Sequence, residues 1–84
     1  MTIPQRPNAA WMATLTNEAL LAAESELHAT FRVHEVAEKA RARGRYVLLE
    51  GPPVLVSAWL RWLTVSNETR ARRLAVRRTE ATHA

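Results

Sequence analysis

The fold is decided by residues 16–44, which read TNEALLAAESELHATFRVHEVAEKARARG. Thr16 can cap a helix, and Glu18 stands in its first turn, where the helix dipole favours a negative charge. Gly44 can end the helix, because glycine readily takes up the left-handed backbone that follows many helices. No glycine or proline interrupts the stretch, so the sequence predicts one long helix over about residues 17–43.

Two apolar stripes run along this predicted helix. The first, at a helical spacing, consists of Leu20, Ala23, Leu27, Phe31 and His34. The second lies nearly opposite Phe31 and consists of Val33, Val36 and Ala40. A helix that is apolar on both sides of its second half needs two neighbours, which predicts a dimer or a layered bundle. The alternative is a break at residues 30–32, with helices over about 17–30 and 33–43.

The second long helix is predicted over about residues 54–79. It follows the turn Gly51-Pro52-Pro53, and proline loses no hydrogen bond in the first turn of a helix. One broad face carries its large apolar side chains, which are Leu55, Val56, Trp59, Leu60, Trp62 and Leu63. A break at Ser66-Asn67 is the alternative, because both residues cap helices well.

The two long helices are predicted to form an antiparallel hairpin. The expected contacts join Leu20, Leu27 and Phe31 of the first helix to Val56, Trp59, Leu60 and Leu63 of the second. The predicted fold class is therefore all-α. It comprises a single helical domain over residues 8–80, with a short N-terminal helix capped by Asn8. An extended, proline-containing arm over residues 1–7 precedes the domain, and a disordered tail over residues 81–84 follows it.

Residues 46–49, between the long helices, read YVLL and are β-prone. A lone strand of this length leaves backbone groups unpaired. The segment therefore either pairs as an edge strand with another chain or packs on the helices as an apolar connector. The connector is the favoured interpretation, and Tyr46 and Leu49 are its candidate partner-binding residues.

The net charge of +4 lies entirely in the C-terminal part of the chain. Residues 1–60 carry equal numbers of basic and acidic side chains, whereas residues 61–84 carry six arginines and two glutamates. A neutral body with a basic end predicts an acidic partner, such as phosphate groups or a carboxylate-rich surface. The candidate residues are Arg70, Arg72, Arg73, Arg77 and Arg78.

On a continuous helix the basic residues share a face with apolar residues nearer its start. Arg70, Arg73 and Arg77 then align with Trp59, Leu60 and Leu63. A face that changes from apolar to basic indicates that its second half leaves the body of the protein and contacts phosphates or another subunit's carboxylates. The alternative is a solvated helix end in which Glu68 and Arg72 pair along the helix.

The sequence contains no pattern for catalysis or for a metal. Two helical pairs, Glu24/His28 and His34/Glu38, have metal-ligand spacing but lie on different stripes. The Gly51 turn lacks the second glycine and the lysine of a phosphate-binding loop. No nucleophile, base and oxyanion donor are grouped. The chain is therefore predicted not to be an enzyme and to use no cofactor, no metal and no small-molecule substrate.

No apolar run approaches the roughly 20 residues that span a bilayer, and the N-terminus lacks a signal-peptide pattern. The absence of cysteine also suits a reducing compartment. We therefore expect a cytoplasmic protein without a membrane partner, or a virion-associated one if it comes from a phage. The size and composition are typical of small structural or accessory proteins of phages and mobile elements.

The surplus of apolar faces over what two helices can cover predicts self-association. The leading hypothesis is a small interaction or assembly protein that forms a homo-oligomer or docks on a protein partner. Trp59 and Trp62 would supply its apolar contacts together with Tyr46 and Leu49, and the basic end would orient or anchor it. The competing hypothesis is an accessory protein that binds nucleic-acid phosphates through the C-terminal arginines.

Overall fold

The computed structural model describes residues 2–76. Within them the chain forms three α-helices, one 3₁₀ turn and no strand: α1 Ala9–Ala13, α2 Asn17–Ala42, the turn Leu48–Glu50 and α3 Pro53–Ala71. The prediction of an all-α hairpin, with two long helices and a shorter N-terminal one, is confirmed. Residues 46–49 form no edge strand, and the 3₁₀ turn packs as a connector against α3.

The second helix, α2, runs unbroken through 26 residues. At its start the Oγ1 of Thr16 accepts a hydrogen bond from the Ala19 backbone N–H at 3.1 Å. At its end the N–H of Arg43 donates to the Lys39 carbonyl at 3.1 Å, and Arg43 has a left-handed backbone with φ of 50°. The prediction of one long helix is confirmed, and the alternative break at residues 30–32 is wrong.

The third helix, α3, begins at Pro53 and passes through Ser66-Asn67 without the break that the sequence allowed. It ends at Ala71, short of the predicted end at residue 79. Residues 77–84 lie outside the described part of the chain, together with the predicted tail. The basic residues that the sequence placed on one continuous helix are therefore divided by the end of α3.

A Schellman motif ends α3 and reverses the direction of the chain. Arg73 has a left-handed backbone with φ of 59°, and its N–H donates to the Arg70 carbonyl at 2.9 Å. The N–H of Leu74 donates to the Thr69 carbonyl, also at 2.9 Å. The side chain of Leu74 then packs against the core, next to buried residues such as Val65. This packing explains why the helix stops where no glycine or proline stands.

The N-terminal residues close one end of the hairpin. The Oδ1 of Asn8 caps α1 by accepting a hydrogen bond from the Trp11 N–H at 2.8 Å. The arm before α1 lies along α3, where the guanidinium of Arg61 donates to the carbonyl oxygens of Ile3 and Pro4 at 3.4 and 2.9 Å. Ile3 also packs against the core. The arm is therefore tied to the helices by both polar and apolar contacts.

The core consists of two clusters that meet at Trp62. The cluster nearer α1 contains Met12, Leu20, Ala23, Leu27 and Val65. The cluster nearer the connector contains Phe31, Leu55 and Ala58. Asn17 contacts Arg72, and Glu24 further along α2 contacts Trp62 earlier in α3. These contacts show that α2 and α3 run antiparallel.

The face of α3 that meets α2 differs from the predicted one. Its buried residues are Leu55, Ala58, Val65 and Thr69. The prediction that Leu60 lies in this interface is wrong, because its side chain is 49 % exposed. The contact is centred closer to Trp62, because the small side chain of Ala58 lets α2 approach and the Trp62 indole reaches Glu24. The other predicted contacts, Val56, Trp59 and Leu63, are partly buried.

Candidate interaction surfaces

Trp62, a predicted partner-binding residue, lies in the interface between α2 and α3. Its indole Nε1 donates a hydrogen bond of 2.7 Å to the Oε2 of Glu24, which is 1 % exposed. Its ring stacks on Phe31 with 5.6 Å between centroids and meets the edge of His28 at 5.1 Å. The side chain therefore contributes to the core, and its proposed contact with a partner stays a prediction.

Trp59 and Tyr46 pack against the cluster around Phe31 and are partly buried. The Tyr46 hydroxyl donates to the Oε2 of Glu35 at 3.4 Å, and the Lys39 ammonium lies 5.2 Å from the centre of its ring. Burial raises the pKa of Tyr46, and the negative charge of Glu35 raises that pKa further. Tyr46 thus fixes the connector to α2.

The exposed apolar side chains of the connector lie around its 3₁₀ turn. Leu49 is 68 % exposed, and Val47 and Val54 on either side of it are also exposed. Of the four apolar residues predicted to bind a partner, Leu49 is thus the one whose side chain points largely into solvent. Its side chain is accessible to a partner, and its role in binding stays a prediction.

Arg72, a predicted phosphate- or partner-binding residue, is engaged inside the protein. Its guanidinium donates to the carbonyl oxygens of Met12 and Leu15 at 2.8 and 3.0 Å. It also donates to the Oδ1 of Asn17 at 3.1 Å and to the Oε2 of Glu68 at 2.9 Å. Arg72 therefore joins the end of α3 to the loop between α1 and α2.

Arg70 and Arg73 carry the exposed guanidinium groups at the same end of α3. Arg70 donates to the Oδ1 of Asn67 one turn earlier, and Arg73 has no side-chain partner within residues 2–76. The remaining predicted basic residues, Arg77 and Arg78, lie outside the described residues. Two of the five candidate arginines are therefore placed at the surface by the structure.

A second group of exposed arginines lies at the other end of the hairpin, after α2. Arg43 and Arg45 are exposed, and within residues 2–76 neither side chain has a hydrogen-bond or ionic partner. The count of charges along the sequence did not reveal Arg43 and Arg45, because glutamates earlier in α2 bring the net charge of residues 1–60 to zero. The signal that could have found them is the i,i+3 spacing of Glu38 and Arg41. It indicates that Glu38 pairs with Arg41 and so does not compensate the arginines that follow.

The pair of Glu38 and Arg41 is bidentate. The Nε and Nη2 of Arg41 donate to the two carboxylate oxygens of Glu38 at 2.9 and 2.6 Å. These hydrogen bonds lower the pKa of Glu38 and raise the pKa of Arg41. Because the two charges compensate each other, the exposed positive charge at this end of α2 comes from the residues that follow Arg41.

Shallow grooves lie beside the hairpin, and the following two are lined by residues 2–76. The larger, about 470 Å³, lies between the N-terminal arm and α3 and is lined by Gln5, Arg6, Pro7, Pro53, Val56, Ser57, Leu60, Arg61 and Thr64. The smaller, about 330 Å³, lies between α2 and the segment after α3 and is lined by Leu21, Ala22, Ser25, Ala75 and Val76. Both are open to solvent and mostly apolar.

The outer face of α2, opposite the core, carries an exposed stripe of alanine and valine residues with one glutamate, Glu26, among them. Val33 and Val36 are 69 % and 55 % exposed. The whole outer stripe consists of Ala22, Glu26, Ala29, Val33, Val36 and Ala40, all of which are exposed. The sequence pattern revealed its second half, and the regular spacing of three and four residues was the signal for the first half.

Within residues 2–76, no three His, Cys, Asp or Glu side chains are grouped so that they could hold a metal ion. Across the same residues, no helix combines the length and the apolar character needed to cross a bilayer. Comparison of the chain with protein-family models, with curated proteins and with solved structures finds no match.

Proposed function

We propose that this chain is a small, non-enzymatic interaction protein that acts by self-association. The observation that carries the proposal is the set of exposed apolar side chains on the outer face of α2 and on the connector. Val33 and Val36 stand together on the outer face of α2, and Leu49 stands on the connector, each more than half exposed. Single exposed apolar residues are ordinary, whereas grouped ones are typical of surfaces that contact another protein.

The use of the carboxylates supports a structural role over a catalytic one. Glu24 accepts from the Trp62 indole, and Glu38 and Glu68 pair with Arg41 and Arg72. Each of these carboxylates is engaged in holding a helix or the hairpin together. A phage or mobile-element origin, with a cytoplasmic or virion location, stays an expectation from size and composition.

Sedimentation velocity over a wide range of protein concentrations tests the proposal. We expect the mass to rise from that of a 9.5 kDa monomer as the concentration increases. Leu49→Ser and Val33→Ser should weaken this association, and Thr30→Ser and Thr64→Ser are matched controls that change no apolar surface of that size. A monomer at every concentration would exclude self-association.

A second candidate function, binding to nucleic-acid phosphates, is favoured by the exposed guanidinium groups of Arg70 and Arg73. Fluorescence anisotropy of a labelled DNA duplex, titrated through salt, tests it. Several phosphate contacts predict a log–log slope of roughly −3 or steeper. The double variant of Arg70→Gln and Arg73→Gln should reduce the size of that slope. The control, Arg43→Gln with Arg45→Gln, makes the same charge change at the other end of the hairpin and should leave the slope unchanged. Absence of binding at low salt would exclude this candidate.

A further inference from the structure

We propose that the outer stripe of α2 pairs in antiparallel orientation with the same stripe of a second copy of this chain, with Glu26 of each copy against Arg43 of the other. This inference rests on the proposed self-association and names its surface and its geometry. The stripe lies on the side of α2 opposite the core, and at its first residue, Ala22, it borders the groove that Ala75 and Val76 also line. Pairing along the rest of the stripe leaves the hairpin and its core unchanged.

The spacing of the outer stripe is that of a coiled-coil seam. Its members, from Ala22 to Ala40, follow one another alternately at four and three residues. Alternating steps of four and three residues are the pattern of the two seam positions of a heptad, which keep one face toward a partner helix. Alanine at three of the six positions lets two helix axes approach to about 8 Å. The two valines then meet at the centre of the contact.

One antiparallel register aligns the two stripes about their valines. Its two-fold axis passes between His34 and Glu35, the midpoint of the two valines. Val33 of one copy then faces Val36 of the other, and Ala29 faces Ala40. Residues related in this way contact each other twice, as a two-fold interface requires.

The same register places the charges of the stripe in complementary positions. Glu26 is the one acidic residue of the outer stripe, and this register brings it near Arg43, which follows the last helical residue of α2 and has a left-handed backbone. Within residues 2–76 neither the Glu26 carboxylate nor the Arg43 guanidinium has an ionic partner in its own chain. In a parallel pair, two Glu26 carboxylates would face each other and repel. The charges therefore favour the antiparallel arrangement and a second copy as the occupant.

The two cations that flank the stripe are partly compensated by one carboxylate. Arg32 and Lys39 approach each other across the antiparallel pair, and both form ion pairs with Glu35 of their own chain. Their mutual repulsion is reduced by that carboxylate, which lies between them along the helix. Association should consequently depend on the Glu26–Arg43 contact more than on these flanking residues.

A charge-reversal cycle, read by sedimentation equilibrium, tests the pairing. Glu26→Arg alone and Arg43→Glu alone each place like charges opposite each other, and each should weaken dimerisation roughly 10-fold or more. The double variant restores opposite charges and should recover most of the affinity. Glu18→Arg and Arg45→Glu make the same charge changes away from the stripe and should leave the dimer nearly unaffected. Circular dichroism checks that each variant keeps its helices.

Cysteine pairing tests the register independently, because the chain contains no cysteine of its own. Mixing Val33→Cys protein with Val36→Cys protein in a glutathione buffer should produce the mixed disulfide in excess over the two homodimeric ones. A parallel pair would instead favour the homodimeric disulfides, and that result would overturn the proposal.

The outcomes separate this inference from the proposed function. A wild-type chain that stays monomeric at all concentrations overturns both. A wild-type oligomer that is unaffected by Val33→Glu shows self-association through another surface, and it overturns this pairing alone. Suppose that Val33→Glu disperses the oligomer, but that combining Glu26→Arg with Arg43→Glu does not recover the affinity that each single charge reversal lowers. That result overturns the antiparallel register. The expected result is dispersal by Val33→Glu and recovery in the double variant.

Discussion

The indole N–H of Trp62 donates to a carboxylate of Glu24 that is almost fully buried between α2 and α3, at 2.7 Å. This contact joins the two long helices near the middle of the hairpin. It also explains the orientation of α3, because the same indole stacks on Phe31 and lies between the two core clusters. The face of α3 that meets α2 therefore carries a polar contact beside its apolar ones.

We expect Trp62→Phe to destabilise the protein by about 1.5–3 kcal/mol, since it removes a hydrogen bond to a buried carboxylate while keeping an aromatic ring against Phe31. Urea unfolding followed by circular dichroism measures this change in the free energy of unfolding. Trp59→Phe is the matched control, because the Trp59 indole makes no hydrogen bond within residues 2–76. Equal losses in the two variants would show that the Glu24 contact contributes nothing specific.

Arg72 should be essential for stability, whereas its exposed neighbour Arg70 should not. We expect Arg72→Ala to cost about 2–3 kcal/mol, because several hydrogen bonds to two carbonyls, an amide and a carboxylate are lost together. Arg70→Ala should remain within about 0.5 kcal/mol of the parent chain. Thermal and urea unfolding compare the two. A small effect at Arg72 would mean that its contacts to Met12 and Leu15 do not persist in solution.

Arg73→Gly should stabilise the protein by about 0.5–1 kcal/mol, because glycine has no Cβ to strain in the left-handed conformation that ends α3. Arg73→Ala is the control, since it removes the same charge but keeps the Cβ. A gain for the glycine variant over the alanine variant supports the helix end at Ala71. If the alanine variant is the more stable, α3 continues beyond that residue.

The bidentate pair with Arg41 makes the contribution of Glu38 dependent on pH. The pKa of Glu38 is lowered in the folded protein, chiefly by the hydrogen bonds from Arg41. Its stabilising effect is therefore present above the unfolded carboxyl pKa of roughly 4.3 and is lost as the pH falls through the lower folded value. We expect Glu38→Gln to lower Tm at neutral pH and to match the parent chain in strong acid. The exposed Glu50→Gln should follow the parent chain at both, and a Glu38→Gln deficit that persists in acid would contradict this explanation.

Much of the fold was predictable because its signals are local. Thr16 and Asn8 cap helices by reaching N–H groups three residues away, and the prolines before α3 suit its first turn. The unbroken α2 follows from the absence of glycine and proline across its length. The second apolar stripe on α2 was also readable, because helical periodicity alone brings Val33 and Val36 onto one face.

The candidate site was less predictable, because exposure is a property of the packed chain. Tryptophan is typical of binding surfaces, but the rings of Trp59 and Trp62 both pack against the core. Leu60 was expected in the core and is largely exposed. A helix wheel ranks faces by hydrophobicity, and it does not include the hydrogen bond that the Trp62 indole makes to Glu24 of the neighbouring helix.

The sequence by itself determined two long helices, their caps and their antiparallel connection, since these depend on residues within a few positions of one another. The tertiary structure alone decided where α3 ends and which arginines reach the surface. No residue near Ala71 marks a helix end, and the periodic pattern continues beyond it. The chain turns there because Leu74 gains burial in the core and Arg72 gains acceptors on residues more than 50 positions earlier in the sequence. Contacts over that separation exist once the hairpin has closed, and no local pattern records them.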